Sequence, residues 1–154
     1  MRFLFYDRVT AIEKGKRIVG VKSLSSSEAF LEKHFTRVAL IPGVLLIEAM
    51  AQLLGWLVCY SHDFRRVAIM TLLDGVRVPA ALRPGVRLDI DGTLVTNTER
   101  DSLGVATVSL DGEVIAQVDR LIFRHFPVAA PEPLVRRFLY YGGITDLAAL
   151  ERRP

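Results

Sequence analysis

Cysteine is nearly absent from this chain. Of 154 residues only Cys59 is one, which excludes an internal disulfide framework and any multi-cysteine zinc or iron–sulfur site and fits a reducing compartment. No His-Glu-x-x-His pair is present, and there is no Gly-x-Gly-x-x-Gly after a strand, no phosphate-binding Gly-Lys-Ser/Thr loop and no Gly-x-Ser-x-Gly elbow. Metal, dinucleotide and serine-nucleophile chemistry therefore lack their usual residues, and no metal or cofactor is expected. Lysine is scarce as well. Four lysines stand against sixteen arginines, with a net charge of +3, and no basic run exceeds pairs such as Arg65-Arg66 and Arg136-Arg137. The arginines are neither interleaved with aromatics nor gathered on one helix face, so nucleic acid is a poor partner and a small acidic protein a better one. Only four uncharged residues, Phe3 to Tyr6, separate the first charges. That is too short for the apolar region of a signal peptide, and a cytoplasmic location is expected.

Apolar residues, by contrast, abound. They make up 51% of the chain against 24% charged, and the mean hydropathy is +0.31, high for a chain whose length suits a single domain. Some of that apolar surface has to be hidden against another subunit, so an oligomer is expected. The excess is concentrated between Val38 and His62, which contain no Lys, Arg or Asp. Eighteen residues, Gly43 to Tyr60, approach membrane-spanning length, but Glu48 and Gln52 in the middle argue for a buried core helix and against a membrane span.

Around this helix the sequence reads as strands. Phe3 to Tyr6 and Arg17 to Lys22 flank a turn at Glu13-Lys14-Gly15-Lys16, and Ser27 to Leu31 can open a short helical turn. Downstream, Val67 to Leu73, Val86 to Val95, Leu103 to Leu110 and Glu113 to Phe123 are predicted strands. The last two are joined by Asp111-Gly112, a pair suited to a tight hairpin. One apolar helix followed by an antiparallel meander packs if the sheet curls around the helix, giving an α+β fold. Pro127 to Pro133 is predicted to break the strands, and a short helix is predicted from Thr145 to Arg152. The chain divides into a domain over 1–126 and a C-terminal extension over 127–154.

Glu48 is the most informative residue. A carboxylate on an all-round apolar helix has few wet directions to face, and burial favours its neutral form, which suits a general acid. Equally, a buried carboxylate could tie two subunits together. Gln52, four residues on, shares its face and could orient Glu48 or a water, or serve as an interface amide. His34, in the loop leading to the helix, is a candidate base. Gly43 at the helix mouth offers a free backbone amide to a developing oxyanion, although Pro-Gly there is also good capping. His62 and His125 read as bystanders and Cys59 as a buried filler.

His34-Phe35 followed by Pro42-Gly43-Val44-Leu45-Leu46-Ile47-Glu48-Ala49-Met50-Ala51-Gln52 resembles the signature of the β-hydroxyacyl-acyl carrier protein dehydratases of the hot-dog fold, with the histidine fourteen residues before the glutamate. Phe3-Leu4-Phe5-Tyr6-Asp7-Arg8-Val9, Gly15-Lys16-Arg17-Ile18-Val19 and Arg83-Pro84-Gly85-Val86-Arg87-Leu88 are similar to further family segments, so the likeness covers about residues 2–126. It implies an antiparallel sheet wrapped around one long buried central helix. It also implies that His34 removes the proton α to a thioester, Glu48 protonates the departing 3-hydroxyl, the Gly43 amide binds the thioester oxygen and Gln52 orients the glutamate. In such proteins the histidine and glutamate of one site come from different subunits, so a homodimer is implied, and trimers of dimers occur.

The sequence departs from the family pattern at Lys33 and at Thr36-Arg37-Val38-Ala39, where the family has glycine and Pro-Gly-Arg-Pro. The extension from Pro127 is an addition expected to cover a region that the family fills with an N-terminal helix. The implied substrate is a 3-hydroxyacyl thioester on an acidic acyl carrier protein or on coenzyme A, with Arg65, Arg66, Arg83 and Arg87 as carrier contacts. Acyl length is expected to depend on packing around Trp56, Met70 and Phe64. The other readings are an acyl thioesterase on the same fold and a catalytically impaired subunit that only binds acyl carriers.

Overall fold

A computed structural model describes residues 4–31 and 37–151. The element order is β1 (Arg8–Glu13), β2 (Arg17–Leu24), α1 (Gly43–Ser61), β3 (Arg66–Arg77), β4 (Val86–Asn97), β5 (Asp101–Leu110), β6 (Glu113–Pro127), α2 (Glu132–Gly142) and α3 (Leu147–Glu151). The six strands form one sheet in the order β1-β2-β4-β5-β6-β3, antiparallel throughout. The β5–β6 hairpin turns at Asp111 and Gly112, both at positive φ (51° and 88°), the geometry that Asp-Gly favours.

The sheet closes on α1 because it is dented to receive it. Leu53 and Leu54 of α1 are fully buried, and the positions beneath them are glycines. A Cβ on Gly20 of β2 would lie 2.8 Å from Leu53 Cδ1, one on Gly92 of β4 2.9 Å from Leu54 Cγ, and one on Gly104 of β5 2.9 Å from Leu54 Cδ1. These strands give up side-chain packing so that the helix can approach closely. Met50, Leu57 and Val58 complete the buried face, against Ile18, Leu88, Ile90, Val108, Val118 and Leu121 on the sheet. At the helix C-terminus, His62 is the cap and the next two residues, Asp63 (φ 52°) and Phe64 (φ 57°), reverse the chain. The Phe64 amide donates to the Cys59 carbonyl at 2.7 Å, and β3 begins two residues on.

Several boundaries differ from those predicted. The first strand is Arg8–Glu13, while Leu4 to Tyr6 run outside the sheet. Here the Phe5 amide bonds a side chain of α1 and leaves no ladder. Ser27 to Leu31 forms hydrogen-bonded turns in place of a helix, with the Leu31 amide donating to Glu28 O at 2.9 Å. β6 continues to Pro127, which closes the strand because a strand can end on a residue without an N–H.

The larger miss is α2. Its two prolines, which read as strand breakers, sit at Pro131, the N-cap, and at Pro133 in the first turn, where no intrahelical N–H is required. Gly143 (φ 63°) ends the helix and donates to Leu139 O. Phe138 anchors α2, with no exposed surface and ring centroids 5.4 Å from Trp56, 5.5 Å from Phe64 and 6.1 Å from Tyr60. The final helix, α3, starts at Leu147, two residues later than predicted, because the Asp146 carboxylate caps it by accepting from the Ala148 amide at 3.1 Å.

The sheet's two edges differ. β1 is covered by α2 and α3. β3 is not: Ile69, Met70, Leu72, Leu73 and Val76 are all exposed.

Candidate functional site

Positions 48, 51, 52, 55, 56 and 59 follow helical spacing and form one stripe along α1. Glu48, Ala51, Gln52, Gly55, Trp56 and Cys59 line a groove of about 410 Å³, whose opposite wall is the start of β3 from Val67 to Met70 and whose side is Leu134, Arg137 and Tyr141 of α2. Glu48 is partly buried. Within the single chain this face of the helix borders the groove.

Gln52 carries the local polar architecture. Its Nε2 donates to Glu48 Oε1 at 2.8 Å, and its Oε1 accepts from the Phe5 amide at 2.9 Å. The backbone donor fixes which end of the amide is oxygen, so the NH₂ group must face the carboxylate. One carboxylate oxygen of Glu48 is thereby held as an acceptor. Leu4 to Tyr6 avoid the sheet in order to make this contact.

Gly43 opens the helix behind Pro42 (φ −61°, ψ 129°). Its N–H is one of the first-turn donors that no intrahelical carbonyl can reach, about 7.5 Å along the axis from Glu48 at 1.5 Å per residue. A Cβ there would lie 2.7 Å from Val78 Cγ2, so glycine also lets the helix mouth pack on the segment after β3. His34 lies outside the described residues.

The four arginines do not converge on one surface of the chain. Arg65 and Arg66 sit at the C-terminal end of α1, where the Arg65 amide donates to His62 O at 3.0 Å and Arg66 pairs with Glu99 at 2.5 Å. Arg83 and Arg87 lie at the other end, near Leu82, whose carbonyl accepts from the Ile41 amide at 2.8 Å. Arg87 stands 3.6 Å from Asp89. A 19-residue helix separates the pairs by about 28 Å. Of the three residues expected to shape the acyl site, Trp56 and Met70 line the groove. Phe64 does not. It is 3% exposed and packs behind Trp56 against Tyr60 and Phe138, because the positive-φ turn swings it under α2.

Burial pushes the Cys59 thiol up to about 11, so it is an inert thiol at one end of the groove. Burial likewise holds the Tyr6 phenol above its usual range, with Trp56 opposing and Tyr141 reinforcing the shift. His125, read as a bystander, is buried beside Ser102, whose Oγ is 3.0 Å from its Nε2. Its ring centroid is 5.0 Å from that of His62, which itself reaches Asn97 at 3.1 Å. Among the described residues no group of three or more His, Cys, Asp or Glu is placed to hold a metal. Leu134, Arg137 and Tyr141 were missed from sequence because α2 was missed. Their signal is the spacing Leu134, Arg137, Phe138, Tyr141 on one helical face.

A six-stranded antiparallel sheet wrapped on one central helix is the hot-dog fold, and solved structures agree. The dehydratase heterocomplex ApeI:P from Xenorhabdus doucetiae superposes with a TM-score of 0.67 at 18% identity, over 87% of this chain and 90% of that one. A Streptococcus mutans protein bound to acetyl CoA superposes with a TM-score of 0.60 at 15% identity, over 78% and 88%. Residues 1–119 match the FabA-like domain model. The chain is 37% identical over 120 residues to the 3-hydroxyacyl-[acyl-carrier-protein] dehydratase FabZ of Bacillus cytotoxicus, covering 76% of this chain and 82% of that protein. It is 34% identical over 122 residues to the same enzyme of Anoxybacillus flavithermus, covering 77% and 84%. The chain belongs to the FabA-like family.

Proposed function

We propose that this chain dehydrates 3-hydroxyacyl thioesters, carried on acyl carrier protein or coenzyme A, to trans-2-enoyl thioesters in fatty-acid, lipid or polyketide-type synthesis. The observation that carries this reading is the Phe5–Gln52–Glu48 chain of hydrogen bonds, which fixes a carboxylic acid on the wall of a largely apolar groove. His34 takes the proton from the carbon α to the thioester. Negative charge then develops on the thioester oxygen, which the Gly43 amide and the positive end of α1 stabilise. Glu48 gives its free proton to the 3-hydroxyl as the carbon–oxygen bond breaks. Water and a double bond between the α and β carbons result, and the proton on His34 restores Glu48 before the next turnover. No cofactor is needed for this proton traffic.

We further propose a homodimer, supported by the exposed apolar row on β3. An edge strand with unpaired backbone groups and apolar side chains is a template for a second copy. If two β3 strands pair antiparallel about a twofold axis, the Arg65–Arg66 end of one copy lies beside the Arg83–Arg87 end of the other. The two separated arginine pairs then form one basic surface suited to an acidic acyl carrier protein. Residues 1–126 constitute the dehydratase domain and 127–154 its extension, and a cytoplasmic location suits a lone reduced cysteine.

The test is turnover of 3-hydroxyacyl thioesters followed by enoyl absorbance. His34→Ala and Glu48→Gln are each expected to lower kcat by roughly 10²–10⁴-fold without changing the sedimentation coefficient. Wild-type turnover in either variant overturns the assigned roles.

A further inference from the structure

The family match ends at residue 119, yet the groove does not. Three of its lining residues, Leu134, Arg137 and Tyr141, belong to α2, and α2 is fastened at that place by Phe138, which is wedged without exposed surface among Trp56, Tyr60 and Phe64. Phe138 sits on the same helical face as the three lining residues, so seating its ring in the core turns them toward α1. Trp56 belongs to both sets. It lines the groove beside Gln52 and its ring packs on Phe138, so α2 and the groove share a wall.

The groove has a polar end and an apolar length. Glu48 and Gln52 hold the reacting end. From there the α1 stripe runs through Gly55 and Trp56 to Cys59, about 16 Å for eleven residues of helix. Gly55 leaves the floor open, since a Cβ there would meet nothing within 4 Å. An extended hydrocarbon attached to a thioester at Glu48 fits this shape, and Arg137, which is exposed, stands at the rim where the groove meets water. We propose that α2 is the acyl-length determinant of this enzyme, with Leu134 and Tyr141 as its specificity-determining residues, limiting how far the chain extends along α1. The proposal rests on the dehydratase reading for the placement of the thioester at Glu48.

Trp56 is the only tryptophan, so its fluorescence reports occupancy of the groove independently of turnover. Saturated acyl-coenzyme A of short, medium and long chain is titrated against the full-length wild type, Leu134→Ala, Tyr141→Ala and Leu134→Phe. In parallel, kcat/KM is measured with 3-hydroxyacyl thioesters of the same lengths. Phe138 is left in place in every variant. The two truncations are expected to raise the long-to-short preference about tenfold, the scale of one or two methylenes in an apolar pocket, and Leu134→Phe, which only adds bulk, to lower it by a similar factor. Equal fractional changes at all lengths in the three variants, in binding and in turnover, overturn the proposal and assign α2 a structural role. Length preferences that shift in binding while no variant or wild type forms enoyl product uphold α2 as the determinant and overturn the dehydratase reading.

Discussion

The two faces of α1 belong to one largely apolar helix and do opposite things. Toward the sheet, Met50, Leu53, Leu54 and Leu57 are completely buried and fit into a surface carved by glycines. Toward the groove, Glu48, Gln52, Gly55 and Trp56 are only partly covered and wall a concave surface of about 410 Å³. One face is packed more closely than ordinary strands allow; the other shapes a groove. A largely apolar helix can therefore still have a functional side, distinguished by its concave surface and by the hydrogen-bonded pair Glu48 and Gln52. A carboxylate survives there because the groove gives it an amide partner and access to solvent or substrate, which the packed face could not.

The sharpest way to break this comparison is to empty the filled face. Leu54→Ala removes a side chain held between Gly92 and Gly104, and the rigid sheet beneath cannot collapse into the space. Destabilisation of about 3 kcal/mol is expected from chemical denaturation, within the usual range for buried leucines. A loss under roughly 1 kcal/mol would show that the sheet is not fitted to the helix. Two glycines give a smaller effect with opposite signs. Gly92→Ala drives a Cβ to 2.9 Å from Leu54 and is expected to cost about 1–3 kcal/mol. Gly55→Ala adds a methyl to open space within a helix and is expected to stabilise by up to about 1 kcal/mol. If both substitutions shift the midpoint the same way, the distinction between the faces fails.

These differences explain which parts of the molecule were legible in sequence. The filled face was legible, because a run as apolar as Gly43 to Tyr60 that is interrupted by Glu48 and Gln52 favours a core helix over a membrane span, and Asp111-Gly112 marks its hairpin. Glu48 and Gln52 were legible as exceptions to that pattern. The groove was not, since one of its sides depends on where α2 lands. Phe64 was expected to shape the acyl site, and two consecutive positive-φ residues, Asp63 and Phe64 itself, place it behind the wall. The Phe5 amide was likewise invisible, because an apolar Phe-Leu-Phe-Tyr run reads as a strand whether its backbone pairs with a neighbour or with a side chain.

A third environment, where β6 passes the C-cap of α1, tests how burial acts on a titratable group. At the C-cap end, His125 is buried with Ser102 on Nε2 and His62 stacked edge-on. Burial, His62 and Arg66 hold its imidazole below the ordinary value, while Asp101 and the Thr98 backbone act in the other direction without prevailing. An unfolded histidine titrates near 6.5, so just below that pH the unfolded chain binds more protons than the folded one. Stability is then complete above about pH 6.5 and declines as the pH falls through the window down to the lowered folded value. Thermal melts across this range are expected to show a fall in Tm that His125→Gln, which keeps a partner for Ser102, abolishes. His62→Gln removes one of the two neighbours that oppose protonation of His125 and is expected to shrink the fall without removing it. A Tm that is level across the window in the wild type would mean that the packing around His125 relaxes to admit the charge.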